Sequence, residues 1–226
     1  SQEWANGVRV RVGGPLDPWS PFGWELGAFY TQPQSSGAAF GSRDFPVLAR
    51  PFYDTLAGTP GSFVFGLAGL VDGVVAVRTR TTLWGLDAHA TANVSQSSTV
   101  FAGYRHLEMT DELRVLTQDT VGTIGSFITG TFLPAGSFEA QGDRFTVRNQ
   151  FDGAQVGWRY QHGWGRLGVD LRAALAVGVT NERVTVEGGT QTVDPLGVPR
   201  GAPAGFLALP SNTGRFDRDR WTAIPE

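Results

Sequence analysis

RLGVDLRAALAVGVT, residues 166–180, alternates without a break. Leu167, Val169, Leu171, Ala173, Leu175, Val177 and Val179 fall on one side of an extended chain. Arg166, Gly168, Asp170, Arg172, Ala174, Ala176, Gly178 and Thr180 fall on the other. A period of two is the signature of a β-strand, because successive side chains point to opposite faces; a helix would repeat every 3.6 residues. One face is continuously apolar and the other is small or charged. The run is also long: a soluble strand is typically about 5–6 residues, whereas a tilted strand crossing a bilayer needs about 9–11.

The same split recurs. Trp84, Leu86, Ala88, Ala90, Ala92 and Val94 oppose Gly85, Asp87, His89, Thr91 and Asn93. Ala154, Val156, Trp158 and Tyr160 oppose Gly153, Gln155, Gly157 and Arg159. Phe22, Trp24, Leu26, Ala28 and Tyr30 oppose Gly23, Glu25, Gly27 and Phe29, and near the start Val8, Val10 and Val12 oppose Gly7, Arg9, Arg11 and Gly13. Between Val100 and Met109 two registers are open; the one that turns Val100, Ala102 and Tyr104 outward directs Arg105 inward and is preferred. Arg78 and Arg80 share parity with Trp84, so that strand either begins above a membrane or carries a bulge.

No helix of three turns is legible, and no run of 18 apolar residues exists, so any membrane span must be made of strands. The connections differ in length. Gly14 to Pro21, Ser95 to Ser98 and Gln161 to Gly165 are short; about 33–72, 117–142 and 188–217 are long and rich in Gly, Pro, Ser and Thr. Alternating short and long connections are what an up-and-down barrel has when short periplasmic turns occupy one end and extracellular loops the other. The fold class expected is therefore all-β, an antiparallel meander closing toward a transmembrane β-barrel. The long loops carry Phe40, Phe45, Phe52, Phe127, Phe132, Phe138 and Phe206, more apolar surface than a solvated loop leaves in water, and are expected to fold inward or cap the mouth.

Composition agrees and excludes other classes. Charged residues make up 17%, below the roughly 25% of soluble chains. All 18 basic residues are arginine and the net charge is −3, which leaves no basic footprint for nucleic acid. With no cysteine there is neither a disulfide nor a thiolate ligand or nucleophile. His89, His106 and His162 lack the spacing of a metal motif, and no serine is placed beside His89 and Asp87 for nucleophilic catalysis. Neither an enzyme, a metal site nor a cofactor is expected.

Parity assigns the candidate residues. Arg9, Arg11, Glu25, Asp87, Arg105, Arg159, Asp170 and Arg172 project to the interior, where they either line a water-filled passage or pair and fill it; in a narrow barrel, pairing as structural fill is the commoner outcome. Trp24, Tyr30, Trp84, Tyr104, Trp158 and Tyr160 fall on the apolar face near strand ends, as interface aromatics do. The competing reading makes the same rings the closure of a soluble core. It describes a secreted β-sandwich acting as a binding module, with the apolar faces packed on each other.

Several blocks carry a family resemblance: Phe45-Pro46-Val47-Leu48-Ala49-Arg50-Pro51-Phe52, Leu83-Trp84-Gly85, Ala102-Gly103-Tyr104-Arg105, and Asp143-Arg144-Phe145 leading to Arg148-Asn149-Gln150-Phe151. They continue through Gly153-Ala154-Gln155-Val156-Gly157, Ala176-Val177-Gly178-Val179-Thr180, and Leu207 to Arg215, ending at Pro225-Glu226. In these the chain resembles the beta-barrel porin-seven family of Gram-negative-type bacteria. The resemblance implies an outer-membrane β-barrel and gives neither a transported solute nor catalytic residues; the partners expected of such a barrel are outer-membrane lipid and small solutes or ions. It also implies a further strand before the start and more after the end, so that the roughly seven strands counted here form an internal fragment, incomplete at both ends; bacterial barrels use even counts from 8 upward.

Overall fold

The computed structural model describes residues 6–54, 58–122, 126–128 and 131–226. The described residues form β-structure and turns, with no helix. In chain order the strands are β1 (Gly7–Pro15), β2 (Phe22–Gly41), β3 (Val47–Asp54), β4 (Thr59–Leu67), β5 (Val71–Asn93), β6 (Ser98–Val121), β7 (Ser126–Ile128), β8 (Thr131–Leu133), β9 (Phe138–Trp164), β10 (Leu167–Val193), β11 (Pro199–Ala202) and β12 (Gly214–Pro225). One antiparallel sheet runs β1-β2-β5-β6-β9-β10, and β10 then pairs β12 along one half and β11 along the other. β3 and β4 form a hairpin attached to β5, and β7 pairs β8 separately. Each strand of the meander pairs with the next because short connections leave antiparallel pairing as the nearest way to satisfy the backbone.

The turns at one end are tight. β9 and β10 are joined by Gly165 and Arg166 alone, with Gly165 at φ 60°, the left-handed conformation a two-residue hairpin requires. At the other end the strands outrun the alternation that announced them. β2 continues to Gly41, β6 to Val121, β9 starts at Phe138 and β10 continues to Val193, so much of what was expected as loop at 33–72, 117–142 and 188–217 is extended hairpin, capped by β3–β4, β7–β8 and β11. Backbone pairing continues where both faces have become polar, and there no period of two betrays it.

Residues on one face of the sheet touch across strands that are not neighbours. β2 and β10 are four strands apart, about 19 Å in a flat sheet, yet Arg172 Nη1 donates to Glu25 Oε1 at 2.9 Å. Arg9 on β1 reaches Glu226, beyond β12, at 3.4 Å, although β1 and β12 lie at opposite edges of the sheet. The sheet is therefore strongly curled, with this face concave. β1 and β12 do not pair, so the barrel stays open between them.

The outward face is the apolar one. Val8, Val10, Leu26, Leu86, Val156, Leu171, Leu175 and Val177 are exposed by 44–66%. No second sheet covers them among the described residues, so the β-sandwich alternative is not what this chain forms. Val100, Ala102 and Tyr104 face outward and Phe101 and Arg105 inward, the preferred register. β5 pairs β6 without a break from Val71 to Asn93. The irregularity lies instead in β2, between Thr31 and Gln34, at Pro33, whose ring nitrogen has no hydrogen to give the ladder. Arg78 and Arg80 stay on the outer face, beyond the apolar band.

Inside, large and small residues alternate. A Cβ on Gly157 would lie 2.2 Å from the Phe101 ring, and one on Gly27 would lie 2.2 Å from an Asp87 carboxylate oxygen. These glycines make room for the side chains that cross the interior.

Candidate functional site

Glu25 is the hub of the concave face and only 4% exposed. β2 places it inward between Trp24 and Leu26, which face out. Three guanidinium groups converge on it: Arg172 from β10 at 2.9 Å, Arg11 from β1 at 3.1 Å, and Arg159 from β9. Arg172 also faces Asp87 at 3.8 Å and stacks over the Phe101 ring, 4.0 Å from its centre. A cation over an aromatic face is attracted by the ring quadrupole, so Phe101 fixes where this guanidinium sits.

A second knot adjoins the first. Glu226 accepts from Arg105, from Gln155 at 3.2 Å and from Arg9 at 3.4 Å. Gln155 Oε1 lies 2.7 Å from His89 Nε2, and His89 Nδ1 faces Asp87 at 3.5 Å, which joins the two knots into one network. Arg9 lies over Phe29, 5.2 Å from the ring centre.

Of the eight charged residues that parity turned inward, the structure brings Arg9, Arg11, Glu25, Asp87, Arg105, Arg159 and Arg172 together. Asp170 stands apart: it is exposed near the tight-turn end, where it accepts from Gln161 at 2.8 Å. Glu226, Gln155, Phe101 and Phe29 complete the network without having been picked out as site residues. Alternation assigns Gln155 and Phe29 to the inward face. Glu226 follows a strand whose charges fall on both faces and give no such signal.

Within the network, Glu25, Asp87 and His89 hold ligand atoms within 4.8 Å of one another. A metal ion there would displace guanidinium groups already bound to Glu25. Five guanidinium groups also face only three carboxylates in the whole cluster, a balance that attracts anions and repels cations.

All six aromatics expected at strand ends lie on the outer face. Tyr30 pairs across strands with Trp84, and Tyr104 donates to Asp152. His106, 2.7 Å from the same carboxylate, packs on Trp84 at 5.0 Å. Toward the opposite end Trp158, Tyr160 and His162 stack in sequence along β9, and Trp164 meets His162 edge-on. Beyond the Tyr104–Trp84 row the outer face turns ionic: Arg148 binds Glu108, and Arg114 and Arg144 bind Glu112. Hydrogen bonds from these two arginines hold Glu112 below the usual carboxylate range.

At the loop end the mouth is roofed. Asp143 Oδ1 accepts from the backbone N–H of Leu207 at 3.0 Å and of Ala208 at 2.9 Å, which pins residues 205–208 to the inner wall. Phe206 then packs edge-on against Phe63 and Phe65, under the Arg50 guanidinium. Phe40 and Phe45 pair with each other instead; the side chains of Phe52 and Phe127 lie outside the described residues.

No curated protein and no solved structure matches this chain. A family model, described as "Putative beta barrel porin-7", matches residues 1–226. An all-β antiparallel meander with its apolar face outward is the architecture such a family requires, and the chain belongs to the beta barrel porin-7 family.

Proposed function

We propose that this chain works in the bacterial outer membrane as a porin-like barrel whose interior charge network forms the waist of a passive pore. The observation that carries the reading is the inversion of the sheet. Its exposed face is a continuous field of Val, Leu and Ala, and its enclosed face holds the arginines and carboxylates. Water-soluble monomers seldom expose contiguous apolar patches above a few hundred Å², and lipid is the solvent that tolerates this one. From Phe22 to Tyr30 and from Leu167 to Val179 the apolar rows span roughly 20–30 Å at a barrel strand's tilt, against an apolar band of about 25 Å in known barrels. Trp24, Trp158 and Tyr160 toward one edge, and Tyr30, Trp84 and Tyr104 toward the other, are then the interface girdles.

The guanidinium excess at the waist favours small anions, and the roof at residues 205–208 restricts entry from the loop side. Planar-bilayer recording tests the reading. The protein gives discrete ion conductance with anion preference, and Arg172→Ala changes both, since it removes a charge from the interior network. A barrel that inserts fully yet stays silent would leave only a structural role.

A further inference from the structure

A second buried polar group lies on the inner wall, away from the waist. Where β6 runs beside β9 near the loop end, Asp119 stands directly opposite Glu139 and Thr117 opposite Gln141. Val121 N–H bonds the Ser137 carbonyl at 2.9 Å, which extends the ladder by one rung. Asp119 and Glu139 are each 2% exposed, Gln141 4% and Ser137 0%.

Among the described residues, hydrogen bonding leaves Asp119, Ser137 and Gln141 incompletely satisfied. The Gln141 amide donates to the Glu139 carboxylate, which holds the end of that side chain against it. Gln141 Oε1, Ser137 Oγ and both carboxylate oxygens of Asp119 have no hydrogen-bond partner among the described residues. No arginine pairs with Asp119 among the described residues, unlike Glu25 and Glu226 at the waist. On the β5 side Asp119 faces Gly73, where a Cβ would meet the Phe65 carbonyl oxygen at 1.7 Å; the missing side chain admits a backbone oxygen instead.

Like charges directly opposite in a sheet repel, and an ionised carboxylate removed from water without a partner is costly. A cation bound between them would offset both terms. The atoms on offer are oxygens alone, from two carboxylates, an amide, a hydroxyl and a nearby carbonyl, with no nitrogen or sulfur ligand. That donor set matches a hard cation that takes six to eight oxygens and excludes thiolate- or imidazole-seeking metals.

We propose that Asp119 and Glu139, completed by Gln141 Oε1 and Ser137 Oγ, form a binding site for a divalent cation of the calcium class. The ion joins β6, β9 and the connection that precedes β9, and so ties the loops at the mouth to the barrel wall. Burial, and then the neighbouring Glu139, raise the Asp119 carboxyl to about 7. The charged groups facing Asp119 from packed elements are Glu139 and, two rungs further along β9, Asp143, already held by the Leu207 and Ala208 amides.

The test is calorimetric titration of the detergent-folded chain with calcium chloride after chelator treatment, at about pH 8. One ion binds per chain with Kd of about 10⁻⁴–10⁻³ M, the range of extracellular calcium modules. Asp119→Asn with Glu139→Gln abolishes binding. Ser137→Ala keeps both charges and weakens binding about threefold, which preserves the test if the double variant fails to fold. Absence of binding up to about 10 mM calcium, or undiminished binding in the variants, overturns the assignment; in the first case the pair shares a proton, and in the second the ion sits elsewhere.

Discussion

Replacing Glu25 by Gln keeps the shape of the hub and removes its charge. Three guanidinium groups then face an amide that can accept at one oxygen only. Hydrogen bonds to charged groups contribute about 1.5–3 kcal/mol each, so the gross loss over Arg11, Arg159 and Arg172 is about 5–9 kcal/mol. Part of it returns. Arg172 keeps Asp87 at 3.8 Å, and the Arg11 and Arg159 side chains, 28% and 19% exposed, can regain water. A net cost of about 3–5 kcal/mol remains, the range for breaking a buried ion pair by removing one partner. Equilibrium urea unfolding in detergent, followed by fluorescence of the seven tryptophans and by heat-modifiable gel migration, measures it. Asp170→Asn is the internal control, because its exposed contact with Gln161 predicts a change below about 0.5 kcal/mol. A Glu25→Gln cost under about 1 kcal/mol would refute the claim that this carboxylate organises the waist.

Two further expectations rest on the loop end. Asp143→Ala deletes the acceptor for the Leu207 and Ala208 amides, so trypsin cleaves after Arg200 at least tenfold faster and open-channel conductance rises; an unchanged cleavage rate would mean that other contacts hold the roof. In a chelator-containing buffer the raised Asp119 carboxyl makes the unfolded state the stronger acid. Its contribution is therefore full below about pH 4 and is lost as pH rises through about 7, a decline of a few kcal/mol at most, which Asp119→Asn removes. A stability profile identical in wild type and variant across that window would show that Asp119 ionises as in water.

How much was legible in the sequence follows from where the two faces differ. Along Leu167–Val179 a lipid-compatible row alternates with small and charged residues, so strand, register and inward set could all be read. From Asn181 onward β10 carries Glu182 and Arg183 on opposite faces, and the same strand becomes invisible although its pairing with β9 is unbroken to Val193. β12 is hidden for the same reason: Arg218 and Arg220 bind Glu182 on one face while Asp217 binds Arg183 on the other. Parity could place Glu25 and Arg172 on one face but not against each other, because their contact depends on curvature across four strands, and no single strand encodes that. Asp170 shares the parity of Arg172 and misses the network because it is two residues nearer the turn. The buried Asp119–Glu139 pair fell within a segment that read as loop, so its facing went unrecognised.

In a membrane-spanning barrel the odd-numbered row of β10 faces lipid and the even-numbered row faces a watery interior. The chain has no cysteine, so nitroxide labels can be placed one at a time from Leu167 to Thr180 in protein reconstituted in lipid vesicles. Collision rates with oxygen, which concentrates in lipid, and with a water-soluble nickel chelate report the two environments. Oxygen maxima are expected at Leu171, Ala173, Leu175, Val177 and Val179, with nickel maxima at Arg172, Ala174, Ala176 and Gly178. Uniform water access along the strand, or the opposite phase, would contradict this pattern.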